Sequence, residues 1–154
     1  MNKRVVKALH RKKPQPVIKV SETLKDGSFK IELDRIPVTL NRFLRLHWAT
    51  RIQDKSEWKQ YLLPYYKIRN AVSGKKIELT ITVYRSRLQD PDNKVGSVKN
   101  LVDALKEMGF LVDDNNEYLI LKVEEKKVNI ITDSQPARTV LELKVIEDLQ
   151  KEGI

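Results

Sequence analysis

A chain of 154 residues carries about one domain's worth of sequence, enough to bury a core but with little room for a second folded unit. Its 30 Lys and Arg outweigh 21 Asp and Glu, and the resulting charge of +9 favours a polyanionic partner, nucleic acid first. The absence of Cys and the presence of only His10 and His47 exclude disulfides, thiolate nucleophiles and Cys- or His-rich metal sites, which suits a reducing cytoplasm.

Residues 1–19 hold seven Lys and Arg and no acid, and Pro14 and Pro16 close the stretch. Such a segment is either a solvated terminus or a basic arm that tracks phosphates. Its start lacks the apolar core of a signal peptide. Val17–Val20 and Phe29–Leu33 flank Asp26-Gly27, which suggests a hairpin. Residues 39–51 then mix basic and aromatic side chains densely.

Asp54 or Ser56 offers a cap for a helix running to about Ala71, with Trp58, Tyr61, Leu62, Tyr65, Ile68 and Val72 at helical spacing and Pro64 as a kink. That aromatic stripe reads first as core packing. Ile77–Tyr84 alternates strictly and predicts a strand. Val95, Val98, Leu101, Val102, Leu105 and Met108 mark a helix from about Ser97, stopped by Gly109. Alternating strands follow near 118–125 and 138–146. No apolar run approaches the ~18 residues of a membrane span. This order predicts an α+β domain: a largely antiparallel or mixed sheet with helices packed on one face. The expected layout is a basic arm over 1–20 that includes a candidate first strand, one domain over 21–146 and a tail over 147–154.

Two acidic clusters stand out. Asp90-Pro91-Asp92-Asn93 follows a strand, and Asp113-Asp114 follows the apolar run Phe110–Val112. Asp, Asn and Pro are also turn formers, and both clusters sit where turns belong. A helix from Ser97 to Met108 is roughly 18 Å long, and an extended Phe110–Asp114 spans roughly 16 Å. The second cluster can therefore return to the level of the first. Carboxylates brought so close repel unless protonated or bridged, and hard oxygen ligands suit Mg²⁺ or Mn²⁺. Beside a polyanion, such an ion suits metal-assisted phosphodiester hydrolysis. An EF-hand loop starting at Asp90 fails, with Lys94 and Val95 in place of an oxygen ligand and Gly. With neither a Walker A motif nor Gly-x-Gly-x-x-Gly, no nucleotide cofactor is expected.

The run Asp90-Pro91-Asp92-Asn93, a Lys on the next helix, Val102-Asp103-Ala104-Leu105, Gly109 and Val112-Asp113-Asp114 resembles the RusA family of Holliday-junction resolvases, found in phages and prophages. Pro37-Val38-Thr39-Leu40-Asn41-Arg42 is similar to that family's Pro-Pro-Ser-x-Asn-Arg segment, with Val38 in place of the second Pro. The resemblance covers roughly residues 31–146. It implies a RusA-like fold and a homodimer that uses Mg²⁺ to make paired cuts in a four-way DNA junction. Asp90 and Asp92 match the first two metal-binding carboxylates. Asp114 matches the third, with Asp113 as the alternative or a helper. Lys99, four residues before Asp103, matches the catalytic lysine. Three extra residues between Asn93 and Lys99, relative to the shortest members, keep Lys94 as its rival.

Asn41, Arg42, Arg45, His47 and Arg51 are candidates for DNA contact, as is Lys94, while Arg85 and Arg87 flank the acidic site and can guide phosphates into it. Asn93 is expected to cap the following helix or to ligate through its amide oxygen. A basic DNA-binding module without cleavage activity is the alternative reading. An interaction protein with incidental charge is the third.

Overall fold

The structure, a computed structural model, describes residues 22–24, 26–129, 131–132 and 136–148. The basic arm and the strand expected at Val17–Val20 lie outside them. Strands β1 (Glu22–Thr23) and β2 (Phe29–Leu33) pair antiparallel across the turn at Asp26-Gly27. Gly27 takes φ +81°, a conformation that a β-carbon disfavours. The Asp26 carboxylate closes the turn by accepting from the Ser28 amide at 3.1 Å and its hydroxyl at 2.6 Å.

Residues 39–51 fold into a helical corner. Helix α1 (Leu40–Arg45) is capped by Thr39, and helix α2 (Trp48–Leu62) follows within three residues. The start expected at Asp54 or Ser56 is therefore too late. His47 is the cap: its Nδ1 accepts from the Ala49 amide at 3.2 Å. Asp54 lies inside α2 and pairs with Arg35 instead. Pro64 sits in a 3₁₀ turn, Leu63–Tyr65, which divides α2 from α3 (Tyr66–Val72), as a residue lacking an amide hydrogen requires.

Strand β3 (Lys75–Arg85) leads into the 3₁₀ turn Pro91–Asn93, then α4 (Lys94–Ser97) and α5 (Lys99–Glu107). Strands β4 (Leu119–Lys127) and β5 (Arg138–Asp148) complete the chain, β5 running past the domain end expected at residue 146. Gly109, at φ +89°, reverses the chain after α5. The protein is α+β, with one mixed sheet in the order β1-β2-β5-β3-β4. β4 pairs parallel to β3, and the other neighbours are antiparallel.

Strand alternation decides which face is covered. Ile77, Leu79, Ile81 and Val83 of β3 are fully buried beside Leu141 and Leu143 of β5. Trp58, Leu62, Tyr65, Ile68 and Val72 close over them as the expected core stripe, with Leu101 and Leu105 of α5. The opposite face is polar: Lys122 pairs with Glu78 at 2.8 Å, and Arg138 pairs with Glu32 at 3.1 Å while its guanidinium lies 3.8 Å over the Tyr84 ring. Val95, expected on the helix's apolar side, is 59% exposed because Lys94–Ser97 form a separate short helix. Among the described residues no helix is long and apolar enough to cross a membrane.

Candidate functional site

The site is built at the end of β3. Arg85, Glu125 and Gln89 form its floor. Arg85 and Glu125 point to the covered face, where the Arg85 Nε lies 2.8 Å from Glu125 Oε2 with side chains 5% and 1% exposed. Burial pushes the Arg85 pKa down, and the Glu125 charge opposes that shift. Arg85 Nη2 also donates to the Pro37 carbonyl at 3.0 Å. Gln89 donates from its amide and its side chain to the two Glu125 oxygens, at 2.9 and 2.8 Å. Its own side-chain oxygen accepts from the Leu40 amide at 2.8 Å. This chain of polar contacts ties the Pro37–Arg42 segment to the residue before Asp90. Arg85, expected to meet phosphates, is a link in that framework and not a surface cation.

Glu125→Ala leaves the Arg85 guanidinium buried without its counter-charge. The expected loss is about 3–5 kcal/mol, the usual consequence of breaking a buried pair from one side. That is a large share of the ~5–15 kcal/mol of a typical domain. A denaturant midpoint within error of the unsubstituted protein would show that the pair does not hold the floor together.

Above the floor lies a hollow lined by Thr39, Asn41, Arg87, Leu88, Gln89, Asp90 and Asn93. Asp90 is exposed, and its carbonyl accepts from the Asn93 amide at 2.9 Å, closing the 3₁₀ turn that carries Asp92 outward. Asn93 occupies the cap position of α4, but its side chain makes no capping bond. It lines the hollow beside Asp90 instead, a correction to the expected cap.

A second hollow opens beside α4 and α5. Val95, Gly96, Lys99, Val102, Asp103, Asp114, Leu119 and Leu121 line it. Gly96 holds α4 against α1: a β-carbon there would stand 3.0 Å from Leu40 Cδ1. Lys99 and Asp114 are both exposed at this second hollow, while Lys94 is half-buried and lines neither. Lys94–Ser97 are thus helical, ahead of the helix start expected near Ser97, and Asp90 and Asp114 line different hollows.

Asp113 is committed to its own turn. Its carboxylate accepts from the Asp114 amide at 2.7 Å and from the Asn115 side chain at 3.2 Å, with Lys106 at 3.6 Å. The Asp114 amide is the main cause holding the Asp113 carboxyl below its ordinary range. Asp114 makes a long contact to Lys106, at 4.0 Å. The donor chemistry of Asp90, Asp92 and Asp114, exposed carboxylates of hard oxygen, suits Mg²⁺ or Mn²⁺. Among the described residues no three His, Cys, Asp or Glu side chains are grouped closely enough to hold a metal ion.

The basic candidates divide. Asn41, Arg42, Arg45, His47 and Arg87 are exposed. Arg51 is half-buried: it donates to the Leu44 carbonyl at 3.0 Å, and its guanidinium stands 4.9 Å over the Phe43 ring. It fastens α1 to α2. Asn100, 9% exposed, was not singled out by the sequence, yet it joins α5 to α2 through bonds of 2.9 Å to the Arg51 carbonyl and to Asp54. Glu125 and Gln89 were missed as well. The signal for Glu125 is the alternation of β4, which turns residues 119, 121, 123 and 125 to one side.

No family model and no curated protein matches the sequence.

Proposed function

We propose that the protein is a Mg²⁺-dependent, structure-selective endodeoxyribonuclease of the RusA type, acting on four-way junctions or other branched DNA as a homodimer. The observation that carries this reading is the joining of two distant segments: Pro37–Arg42 and Arg85–Asn93 share a polar floor and one hollow. Both segments belong to the resemblance, and their meeting supports it independently of their spacing in the chain.

In this reading Asp90, Asp92 and Asp114 would hold the cation once drawn together, and Asp113 shapes the turn that presents Asp114. Bare carboxylates repel, so a shared cation is what would draw them together. A Mg²⁺ ion held there would supply charge to offset the reacting phosphate and would favour ionisation of a bound water. Lys99 donates to the scissile phosphate, where a fixed cation stabilises charge that develops in the transition state. Asn41, Arg42, Arg45 and Arg87 hold neighbouring phosphates, which position DNA without reading its sequence. A two-fold dimer supplies two such sites for symmetric cuts.

The test is incubation of the purified chain with a synthetic junction in Mg²⁺ and in EDTA. Paired nicks that require the metal support the proposal. Binding without cleavage under both conditions returns the chain to the basic-module reading.

Affinity is expected to fall steeply with salt. At ~6–10 neutralised phosphates, log K drops with a slope near −0.9 per phosphate against log salt. Deleting residues 1–14 should flatten that slope if the basic arm tracks phosphates. An identical slope, measured by fluorescence anisotropy, would assign the arm no share in binding.

A further inference from the structure

The corner between α1 and α2 exposes what a fold normally hides. Trp48, the first residue of α2, is 67% exposed, while the chain's other tryptophan, Trp58, is 1% exposed in the core. Leu44 and Ile52 beside it in sequence are 61% and 56% exposed. The His47 ring lies 5.3 Å from the Trp48 ring at a tilt of 37°. An aromatic with apolar neighbours left in water has surface to gain by being covered.

Charge selects the cover. From Pro37 to Gln53 the chain carries Arg42, Arg45 and Arg51 and no acid. Arg42 and Arg45 are exposed on the helix preceding Trp48. A surface that joins an open aromatic face to uncompensated cations matches the two parts of a nucleotide: a flat base that stacks and a phosphate that pairs. Position agrees. The start of the corner, Thr39 and Asn41, lines the hollow holding Asp90. Helix α1 is about 9 Å long, the rise of roughly three nucleotides of strand.

We propose that Trp48 is a base-stacking side chain: it takes up one base of single-stranded DNA, or one left without a stacking partner at a branch point, while Arg42 and Arg45 hold the adjoining phosphates. This rests on the DNA-binding part of the function proposed above and not on cleavage. The corner is braced by the Arg51 contacts to Leu44 and Phe43 and by the His47 cap. A stacking platform of this kind tolerates any base and discriminates against fully paired linear DNA, whose bases are already stacked.

The two tryptophans make the test direct. In EDTA, so that cleavage plays no part, the intact chain is titrated with a thymidine oligomer, a four-way junction and a blunt linear duplex. Binding is followed by anisotropy of labelled DNA and, in parallel, by tryptophan emission. Trp58 is buried, so quenching reports Trp48. The expected result is quenching by the oligomer and the junction and much less by the duplex. Trp48→Phe should bind within about threefold of wild type, and Trp48→Ala should lose about tenfold or more on the oligomer. Thermal melting should be unchanged in both, since the side chain is exposed. DNA that binds without quenching, or binds Trp48→Ala as tightly as wild type, overturns the proposal. So does a change in sedimentation on Trp48→Ala with DNA affinity unaltered, which would make the corner a protein interface. Quenching and binding without cleavage in Mg²⁺ would leave this inference standing and sink the nuclease reading. Cleavage with unmoved emission would do the reverse.

Discussion

Asp92→Asn is expected to abolish Mg²⁺-dependent cleavage of a four-way junction while keeping, or tightening, junction binding. Asp92 stands in the 3₁₀ turn that follows Asp90, exposed at the end of β3. Removing one negative charge beside bound phosphates lowers repulsion, so affinity should hold or rise, whereas a carboxamide is a poor ligand for a hard cation that needs charge as well as oxygen. The pattern separates a metal ligand from a turn residue. Asn is itself a good turn former, so the substitution leaves the local backbone intact. Single-turnover cleavage and gel-shift affinity measured on the same preparation check it. Cleavage at the wild-type rate would remove Asp92 from the ligand set. Asp114→Asn should lose cleavage in the same way, and Asp113→Asn much less, since Asp113 serves its own turn through Asp114 and Asn115.

Much of the fold was legible because burial follows period. The alternation of β3 and the helical stripe from Trp58 to Val72 name their own buried faces, and Gly109 stops α5 where its positive φ is needed. The parallel pairing of β4 to β3 was not legible, since alternation on a sheet with one covered face looks the same in either direction. The start of α2 was hidden by its cap, for a histidine nitrogen stands where Ser, Thr, Asp or Asn is the usual signal. The site was read in part. The acidic residues were singled out by type, but α4, which follows Asn93 directly, was not foreseen as a separate helix. Arg85 was taken for a guide of phosphates, although it continues the inward parity of Ile77, Leu79, Ile81 and Val83. A charge at an inward position needs a partner on a neighbouring strand, and Glu125 holds the same parity on β4.

Lys99→Ala is expected to slow single-turnover cleavage by about a hundredfold or more with little change in junction affinity. Lys99 opens α5, where no acidic side chain stands in the first turn and the helix dipole disfavours a cation. A lysine kept there against local preference, beside Asp103 and Asp114 at one hollow, fits a group placed for chemistry. An interaction gained mainly in the transition state lowers turnover selectively. Lys94 is half-buried on α4 and lines neither hollow. Lys94→Ala should therefore weaken binding modestly and leave the chemical step near the wild-type rate. The i,i+4 spacing of Lys99 and Asp103 cannot account for the rate effect. An exposed pair of that kind contributes ~0.2–0.5 kcal/mol, whereas a hundredfold rate loss corresponds to about 2.7 kcal/mol. Thermal melting of both variants checks that folding is intact. If Lys94→Ala loses the chemistry and Lys99→Ala keeps it, the extra residues of this chain lie beyond the catalytic lysine, and the ammonium that meets the scissile phosphate comes from α4.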